Sequence, residues 1–351
     1  MGRLSSRFVF RAGALALLLA LAVARPGAAA DGPRVVASIK PVHGLVAAVM
    51  QGVGTPELIV EGAASPHGYA LKPSDARALA AAELTVWIDP AFEPYIDRAL
   101  KTMARGSVSL PLVSAPGIST LPYRGAETGD ADEADPGAED GHEDGHEDGH
   151  EDGHEDGHGH DHARDAHPDD EVGHDHAHGA VDSHLWLDPA NAVAAARAIA
   201  ARLTEVDPAN AAVYRTNAEA LAERIARVAD EIRARLAPLR DRRYVVFHDA
   251  YRYFERFTGL DAAGVVALDP EIPPGARRIA ELRAAIVEEG AACVFAEPQF
   301  DPAIVATVVE GTGARRGVLD PIGADIPAGP NHYETLLAAM ADAFEGCLGG
   351  A

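Results

Sequence analysis

Eleven of the sixteen histidines in this 351-residue chain lie in one stretch rich in glycine, aspartate and glutamate. The repeat GHED places a histidine at every fourth position, and the spacing then becomes irregular. Imidazole nitrogens and carboxylates at this density suit zinc, copper or nickel. The sequence therefore predicts a protein that handles a transition metal. The histidines of the stretch are His142, His146, His150, His154, His158, His160, His162, His167, His174, His176 and His178.

We call residues 126–182 the histidine-rich segment. It contains 22 acidic residues and one arginine, so it carries −21 of the formal net charge of −24. Because it has almost no apolar side chains to bury, we expect it to be disordered and to bind metal weakly. The rest of the chain is nearly neutral, which argues against a partner such as nucleic acid.

Three histidines outside this segment occupy similar positions in the predicted fold. His67 follows a predicted strand, His184 follows the histidine-rich segment, and His248 ends a later strand. Asp320 ends the last predicted strand. A single histidine at a strand end is more often a hydrogen-bonding loop residue, and an aspartate before proline often caps a turn. In open α/β sheets, however, ligands bind beyond the carboxyl ends of the strands, so these four side chains are candidate metal ligands.

Short β-rich runs alternate with helical stretches on both sides of the histidine-rich segment. This alternation predicts an α/β fold of two similar lobes, each with a mainly parallel sheet flanked by helices. The strands are predicted at residues 34–39, 57–62, 84–89, 108–113, 243–248, 263–268, 291–297 and 314–320. The helices are predicted at 41–50, 73–82, 92–103, 190–204, 208–238, 249–257, 275–289, 301–311 and 332–347.

One predicted helix is much longer than the others and divides the chain. It runs from Pro208 to Pro238, about 45 Å at 1.5 Å per residue, and we expect it to join the two lobes rigidly. We therefore expect the binding site in the cleft between them. The expected divisions are an N-terminal lobe at 31–125 that is completed by 183–206, a linking helix at 207–238, and a C-terminal lobe at 239–351.

The N-terminus has the pattern of an export signal over residues 1–30. Arg3, Arg7 and Arg11 precede a short apolar run, and an A-x-A cleavage site ends at Ala30. The run is too short to span a bilayer comfortably. No cysteine follows it for lipid attachment, so we expect a periplasmic protein that is not a lipoprotein.

Cys293 and Cys347 are the only cysteines in the chain. An exported protein reaches a compartment where disulfides persist, so we expect a bond that clips the C-terminal helix to its lobe. Two buried free thiols are the alternative. Zinc ligation by this pair is less favoured, because the spacing is not C-x-x-C.

Several stretches of the chain are similar to one protein family. They are SIKPVHGLVAAVM, HGYALKPSDARALAAAELTVWID, DSHLWLDPANA, VVFHDAYRYFERFTGL, DPEIPPGARRIAELR, CVFAEPQFDPAIV and LDPIG. Through them the chain resembles the zinc-specific solute-binding proteins of bacterial ABC importers, the ZnuA type, in a cluster that also carries manganese. The resemblance implies two α/β lobes joined by a rigid helix, one tight Zn²⁺ site between them, and a membrane permease with its ATPase as partners. It also matches the cysteine pair to a disulfide seen in some members.

The resemblance places the family's histidine ligands on His67, His184 and His248, and its acidic position on Asp320. Some zinc members have a glutamate just before the first ligand, but Pro66 stands here. Asp320 or a water molecule is then expected to complete a tetrahedral zinc site.

Three other residues near predicted element ends need separate interpretations. Glu297 follows a predicted strand, and we expect it to orient an imidazole by a hydrogen bond rather than to bind metal. His43 and His332 lie near helix starts, where histidine is common, so we do not expect them to be ligands.

The expected function is non-catalytic capture of zinc by a monomeric receptor, with the histidine-rich segment as a low-affinity collector or sensor. Manganese prefers more oxygen ligands, and the manganese relatives carry a carboxylate where His248 stands, so zinc is favoured over a manganese or iron receptor. A periplasmic metal-storage or adhesin-like protein is a second alternative. A zinc hydrolase with Glu297 or Asp320 as general base is a third, although no HExxH spacing supports it.

Overall fold

The computed structural model describes Gly2 and residues 32–103, 106–124, 181–267 and 269–350. The predicted export signal and all eleven histidines of the histidine-rich segment lie outside these residues. Within the described ranges, no helix is long and apolar enough to cross a bilayer.

The N-terminal lobe is built on a parallel sheet of four short strands. These are β1 (Val35–Ala37), β2 (Glu57–Leu58), β3 (Leu84–Trp87) and β4 (Val108–Pro111), in the order β2-β1-β3-β4. The helices α1 (Lys40–Val49), α2 (Pro73–Ala81) and α3 (Pro94–Thr102) connect them. Each helix has a proline in its first turn, where the missing N–H costs no hydrogen bond. The central strands β1 and β3 are buried throughout, as expected for a sheet with both faces covered.

Two helices follow the histidine-rich segment and lead into the second lobe. The helix α4 (Pro189–Val206) is capped by Asp188, which accepts the N–H of Ala190 at 2.7 Å. The helix α5 (Ala211–Leu236) has 26 residues, about 39 Å of helix. It packs against α1 and α4 on one side and against helices of the C-terminal lobe on the other. The long helix therefore contacts both lobes, as the sequence predicts.

The C-terminal lobe repeats the architecture of the first. The strands β5 (Tyr244–Val246), β6 (Gly264–Val265), β7 (Cys293–Ala296) and β8 (Arg315–Val318) form a parallel sheet in the order β6-β5-β7-β8. The helices are α6 (Arg252–Thr258), α7 (Ala276–Glu288), α8 (Pro302–Val309) and α9 (His332–Leu348). The predicted fold class of two parallel-sheet α/β lobes flanked by helices is confirmed.

Both faces of the C-terminal sheet are buried, and this explains why β5 is apolar at every position. Tyr244 and Val246 of β5 belong to a large apolar cluster that runs through the linking helices into the N-terminal lobe. Val245 and Phe247 point to the other face and belong to a smaller cluster under α7 and α8. Because both faces are buried, the strand needs apolar side chains at every position.

Several predicted boundaries differ from the structure by a few residues, and two of the differences have clear physical causes. The helix predicted at 249–257 begins at Arg252, because the N–H of Ala250 bonds to the carbonyl of His248 in a tight turn after β5. The sequence places Asp182 at the end of the histidine-rich segment, but it is fully buried and forms an antiparallel bridge with Leu121. Asp182 therefore packs as part of the N-terminal lobe, before the boundary expected at residue 183.

The disulfide between Cys293 and Cys347 is present. It joins β7, a central strand of the C-terminal sheet, to the last turns of α9. The predicted clip between the C-terminal helix and its lobe is confirmed, and both thiols are consumed by it.

Candidate metal centre

Three histidine rings meet in the cleft between the lobes. Each offers a nitrogen within 4.8 Å of the nitrogens of the other two, and the three are His67, His184 and His248. The Nε2 atoms of His184 and His248 are only 3.2 Å apart. Among the residues that the structure describes, no other set of three histidine, cysteine or carboxylate side chains is placed to hold an ion.

His248 comes from the C-terminal lobe, where it follows the central strand β5. Its Nδ1 lies 2.7 Å from Oε1 of Glu297, which follows the adjacent strand β7. Parallel neighbours end at the same edge of a sheet, so the two side chains meet there. The Glu297 carboxylate therefore lies against the Nδ1 side of the His248 ring, whereas Nε2 faces His184.

His184 is oriented by a residue that sequence reasoning missed. Oδ1 of Asp182 accepts both the backbone N–H of His184, at 3.0 Å, and its ring Nδ1–H, at 2.8 Å. The backbone carbonyl of Asp182 in turn accepts the hydroxyl of Tyr253 at 2.7 Å. The D-x-H spacing is typical of a turn in which an aspartate bonds the backbone two residues later, and that local signal could have identified it.

His67 is more exposed than the other two rings. It lies in the loop after β2, is only partly buried, and packs edge-on against Phe92 at a centroid distance of 4.8 Å. Its backbone N–H bonds to Ser65 Oγ at 3.3 Å, and Ser65 donates to Glu271 of the C-terminal lobe at 2.6 Å. The first histidine therefore sits on a loop that is tied across the mouth of the cleft.

The Nδ1 atoms of His184 and His248 contact carboxylates, so the Nε2 atoms of the two buried rings face each other. Burial lowers the pKa of His184 well below its ordinary value and keeps that ring neutral. Burial also opposes the charged form of His248, but Glu297 and Asp249 outweigh it and raise the pKa of His248. With each Nδ1–H given to a carboxylate, two neutral rings would face each other through lone pairs. Their 3.2 Å approach is favourable when a proton or a metal ion lies between them.

The spacing of the two buried rings and the nitrogen donors of the set fit zinc. Two nitrogens bound to one tetrahedral zinc ion at about 2.0–2.1 Å are about 3.3 Å apart, close to the 3.2 Å observed. A carboxylate behind each buried ring fixes its tautomer and increases its basicity. Apart from Glu297 and Gln299, the rest of the cavity wall is apolar and includes Phe92, Trp186 and Phe300.

The structure does not bring Asp320 into this group. Its Oδ1 accepts the amide of Gln299 at 2.9 Å and the backbone N–H groups of Ile322 and Gly323, and its Oδ2 accepts that of Ala324 at 2.5 Å. In this arrangement Asp320 caps the turn that follows β8, and Pro321 and Ile322 line the cavity instead.

The other two histidines among the described residues, His43 and His332, hydrogen-bond to backbone carbonyls. Nε2 of His43 lies 3.1 Å from the carbonyl oxygen of Pro56. Nε2 of His332 lies 3.0 Å from that of Ile322. Burial lowers the pKa of both rings. Neither ring belongs to the group of three in the cleft.

The site can now be compared with known proteins. A family model described as the periplasmic component A of a zinc-uptake complex matches residues 35–347. The chain belongs to this family. The high-affinity zinc uptake system protein ZnuA of Brucella abortus is 46% identical over 314 residues, which cover 90% of this chain and 91% of the relative. Its namesake in Paracoccus denitrificans is 39% identical over 342 residues, which cover 97% of this chain and 99% of the relative.

Solved structures support the same fold. A crystal structure of a ZnuA protein superposes with a TM-score of 0.68 at 23% identity, covering 91% of this chain and all of the other. A zinc-bound ZnuA deletion mutant gives a TM-score of 0.66 at 24% identity, covering 91% of this chain and 98% of that one. Members of the zinc-uptake family thus share the two-lobed architecture described above.

Proposed function

We propose that this protein is a periplasmic receptor that captures Zn²⁺ with His67, His184 and His248 and delivers it to an ABC importer. The observation that carries the proposal is the convergence of three imidazoles, from distant parts of the chain, in one cleft. Membership of the zinc-uptake family and the names of relatives up to 46% identical support it. Zinc is the cargo of the site, and its release to a permease and ATPase completes the cycle.

We propose that a water molecule rather than Asp320 supplies the fourth ligand. The Asp320 carboxylate already accepts four hydrogen bonds, three of them from the backbone of the following turn. To bind an ion it would have to break that turn. Three neutral imidazoles and water satisfy tetrahedral zinc without such a change.

The donor set also supports zinc over manganese or iron. The three converging donors are all nitrogen, whereas Mn²⁺ prefers more oxygen ligands and a higher coordination number. The carboxylates nearest the site, those of Asp182 and Glu297, are engaged with ring Nδ1 atoms instead. This engagement also weighs against a hydrolase, because Glu297 is not free to act as a general base toward a metal-bound water.

The export signal and the histidine-rich segment lie outside the described residues, and their roles are proposed from the sequence. The export signal over residues 1–30 would place an unlipidated, monomeric receptor in the periplasm. The eleven histidines of the histidine-rich segment would collect metal weakly and raise its local concentration near the cleft. A storage or adhesin-like role is separated from uptake by growth of a deletion strain under zinc limitation, which only loss of a receptor impairs.

Calorimetry with Zn²⁺ and Mn²⁺ tests the proposal on a chain that lacks residues 126–180, so that weak binding by the segment does not interfere. We expect one tight zinc site and much weaker manganese binding. His184→Gln and His248→Gln should each abolish tight binding, whereas the matched control His43→Gln should retain it. His248→Glu should weaken zinc and relatively favour manganese. Tight zinc binding that survives both glutamine substitutions would refute the assignment.

A further inference from the structure

The cavity is closed on one side by a loop of the C-terminal lobe that is held at nearly every backbone position. We call residues 320–327 the wall loop. Its second and third residues, Pro321 and Ile322, line the cavity together with the three histidines. Asp320 accepts the N–H groups of the next turn, and His332 contacts the carbonyl of Ile322 at 3.0 Å. These contacts come from within the C-terminal lobe.

Two further contacts to the wall loop come from the other lobe. The indole N–H of Trp186 donates to the carbonyl of Pro321 at 2.8 Å, and the Trp186 ring packs against His184 at a centroid distance of 5.2 Å. Lys40, the first residue of α1, reaches the same loop from the carboxyl end of β1. Its Nζ lies 2.5 Å from the carbonyl oxygen of Ala324, 3.1 Å from that of Ile326 and 3.5 Å from that of Gly323.

The environment of Lys40 is unusual for a lysine. The residue is only 9% exposed, and among the described residues no carboxylate lies within ion-pair distance of its Nζ. Burying an ammonium group without an opposite charge is costly unless its donors are satisfied. An ammonium has three N–H donors, and here three carbonyls converge on it.

The wall loop contributes Pro321 and Ile322 to the cavity, so its shape affects the metal site. The Lys40 ammonium fixes the carbonyls of the wall loop while Asp320 fixes its amides, so the turn has one shape. In that shape the Asp320 carboxylate accepts backbone N–H groups of its own turn, and Pro321 and Ile322 line the cavity. Lys40 contacts none of the three histidines in the structure, so it can act on the metal only through the loop.

We propose that Lys40 is a positioning residue for the metal site, which holds the wall loop closed over the three histidines from across the cleft. The inference rests on the proposed zinc function. It names a residue of the N-terminal lobe that controls how long the ion is retained and which ligands reach it.

Lys40→Met tests the inference, because methionine fills a similar volume without charge or donors. We expect zinc to dissociate about tenfold faster, the scale of losing a hydrogen bond from a charged group. The cobalt(II)-loaded variant should also show a changed visible spectrum, since a freed Asp320 or additional water alters the coordination. Lys101→Met, an exposed lysine on α3 that pairs with Asp97, is the matched control and should behave as the wild type.

Hydrogen exchange of the metal-free protein provides a readout that does not depend on zinc. The amides of Ile322, Gly323 and Ala324 should exchange faster in Lys40→Met than in the wild type. Faster exchange without faster zinc release would overturn the positioning role, and so would unchanged exchange. If Lys40→Met does not fold, Lys40→Gln retains two donors without the charge and takes the same two measurements. A wild type that fails to bind zinc would refute the proposed function, while the exchange result would still test the contact.

Discussion

Replacing Glu297 by glutamine isolates what a carboxylate behind a metal-binding imidazole contributes. Oε1 of Glu297 lies 2.7 Å from Nδ1 of His248, and the residue is 3% exposed. Glutamine has nearly the same shape, and its carbonyl oxygen can still accept the Nδ1–H bond. The substitution therefore leaves the ring in place and removes only the negative charge.

The size of the effect can be bounded from the geometry. Adding one imidazole ring and a zinc–nitrogen bond of about 2.0–2.1 Å places the carboxylate about 7 Å from the ion. At that distance a unit charge attracts a divalent ion by about 5 kcal/mol at an effective dielectric constant of about 20. Part of this gain is offset, because Glu297 is buried and its charge is desolvated. We therefore expect the loss typical of such partners, about 10–100-fold in affinity or about 1.4–2.7 kcal/mol.

Competition with a fluorescent zinc chelator measures this affinity, in the chain that lacks residues 126–180. Asp182→Asn should produce a loss of the same order, because Asp182 stands behind His184 as Glu297 stands behind His248. Glu219→Gln is a suitable control, since this exposed residue of α5 pairs with Arg197. Wild-type affinity in both site variants would show that the two carboxylates are structural only, and the account of ring basicity would be wrong.

The segment boundary, a buried carboxyl group and the disulfide each give a further prediction. Deleting residues 126–180 should leave tight zinc binding intact, whereas deleting 126–182 should weaken it about 10–100-fold, since Asp182 is then lost; titration of both proteins decides this. Burial raises the pKa of Glu93 to about 8 from 4.5, so stability is full at low pH and falls as the pH rises through this window, by up to about 1.4 kcal/mol per unit. Urea denaturation at about pH 5 and about pH 8 should show a larger loss in the wild type than in Glu93→Gln, where the raised pKa of Asp182, about 7, still contributes, and equal losses would contradict it. Replacing both Cys293 and Cys347 by serine should lower the free energy of unfolding by about 2–5 kcal/mol with little change in zinc affinity, because the bond lies behind β7.

Most of the architecture could be predicted because local sequence patterns determine the order and type of its helices and strands. Apolar runs of strand length alternate with helical stretches, and prolines mark helix starts such as Pro73 and Pro94. The same alternation places His248 at a strand end, which points it into the cleft by a general rule of α/β sheets. That rule makes His184 and His248 candidates for one cleft, but their pairing across 64 positions of sequence follows more strongly from the family resemblance.

Asp182 and Asp320 show where local patterns fail. Asp182 follows a long acidic tract, so composition assigns it to the tract, but its burial depends on a bridge to Leu121 and a bond from Tyr253. Asp320 ends a strand like the histidines, but the turn after it folds back on its carboxylate. That turn includes Gly323 with φ of +66°, a conformation that favours glycine. Whether an aspartate caps a turn or faces a cleft depends on such backbone detail.

The three rings differ in burial, since His67 is partly exposed and the other two are buried, and this difference bears on how an ion would be captured. His184 and His248 come from different lobes, yet each is fixed by a carboxylate and their Nε2 atoms are already 3.2 Å apart. The group as a whole extends to 4.8 Å, beyond the roughly 3.3 Å that a tetrahedral zinc ion requires. Because α5 and the wall loop tie the lobes together, the smallest adjustment that closes this gap is a shift of the partly exposed loop that carries His67. We therefore expect two preformed ligands to receive the ion and the third to follow, so that His67→Gln should raise the dissociation rate more than it lowers the association rate. Stopped-flow measurement of both rates would contradict this order if the loss fell mainly on association.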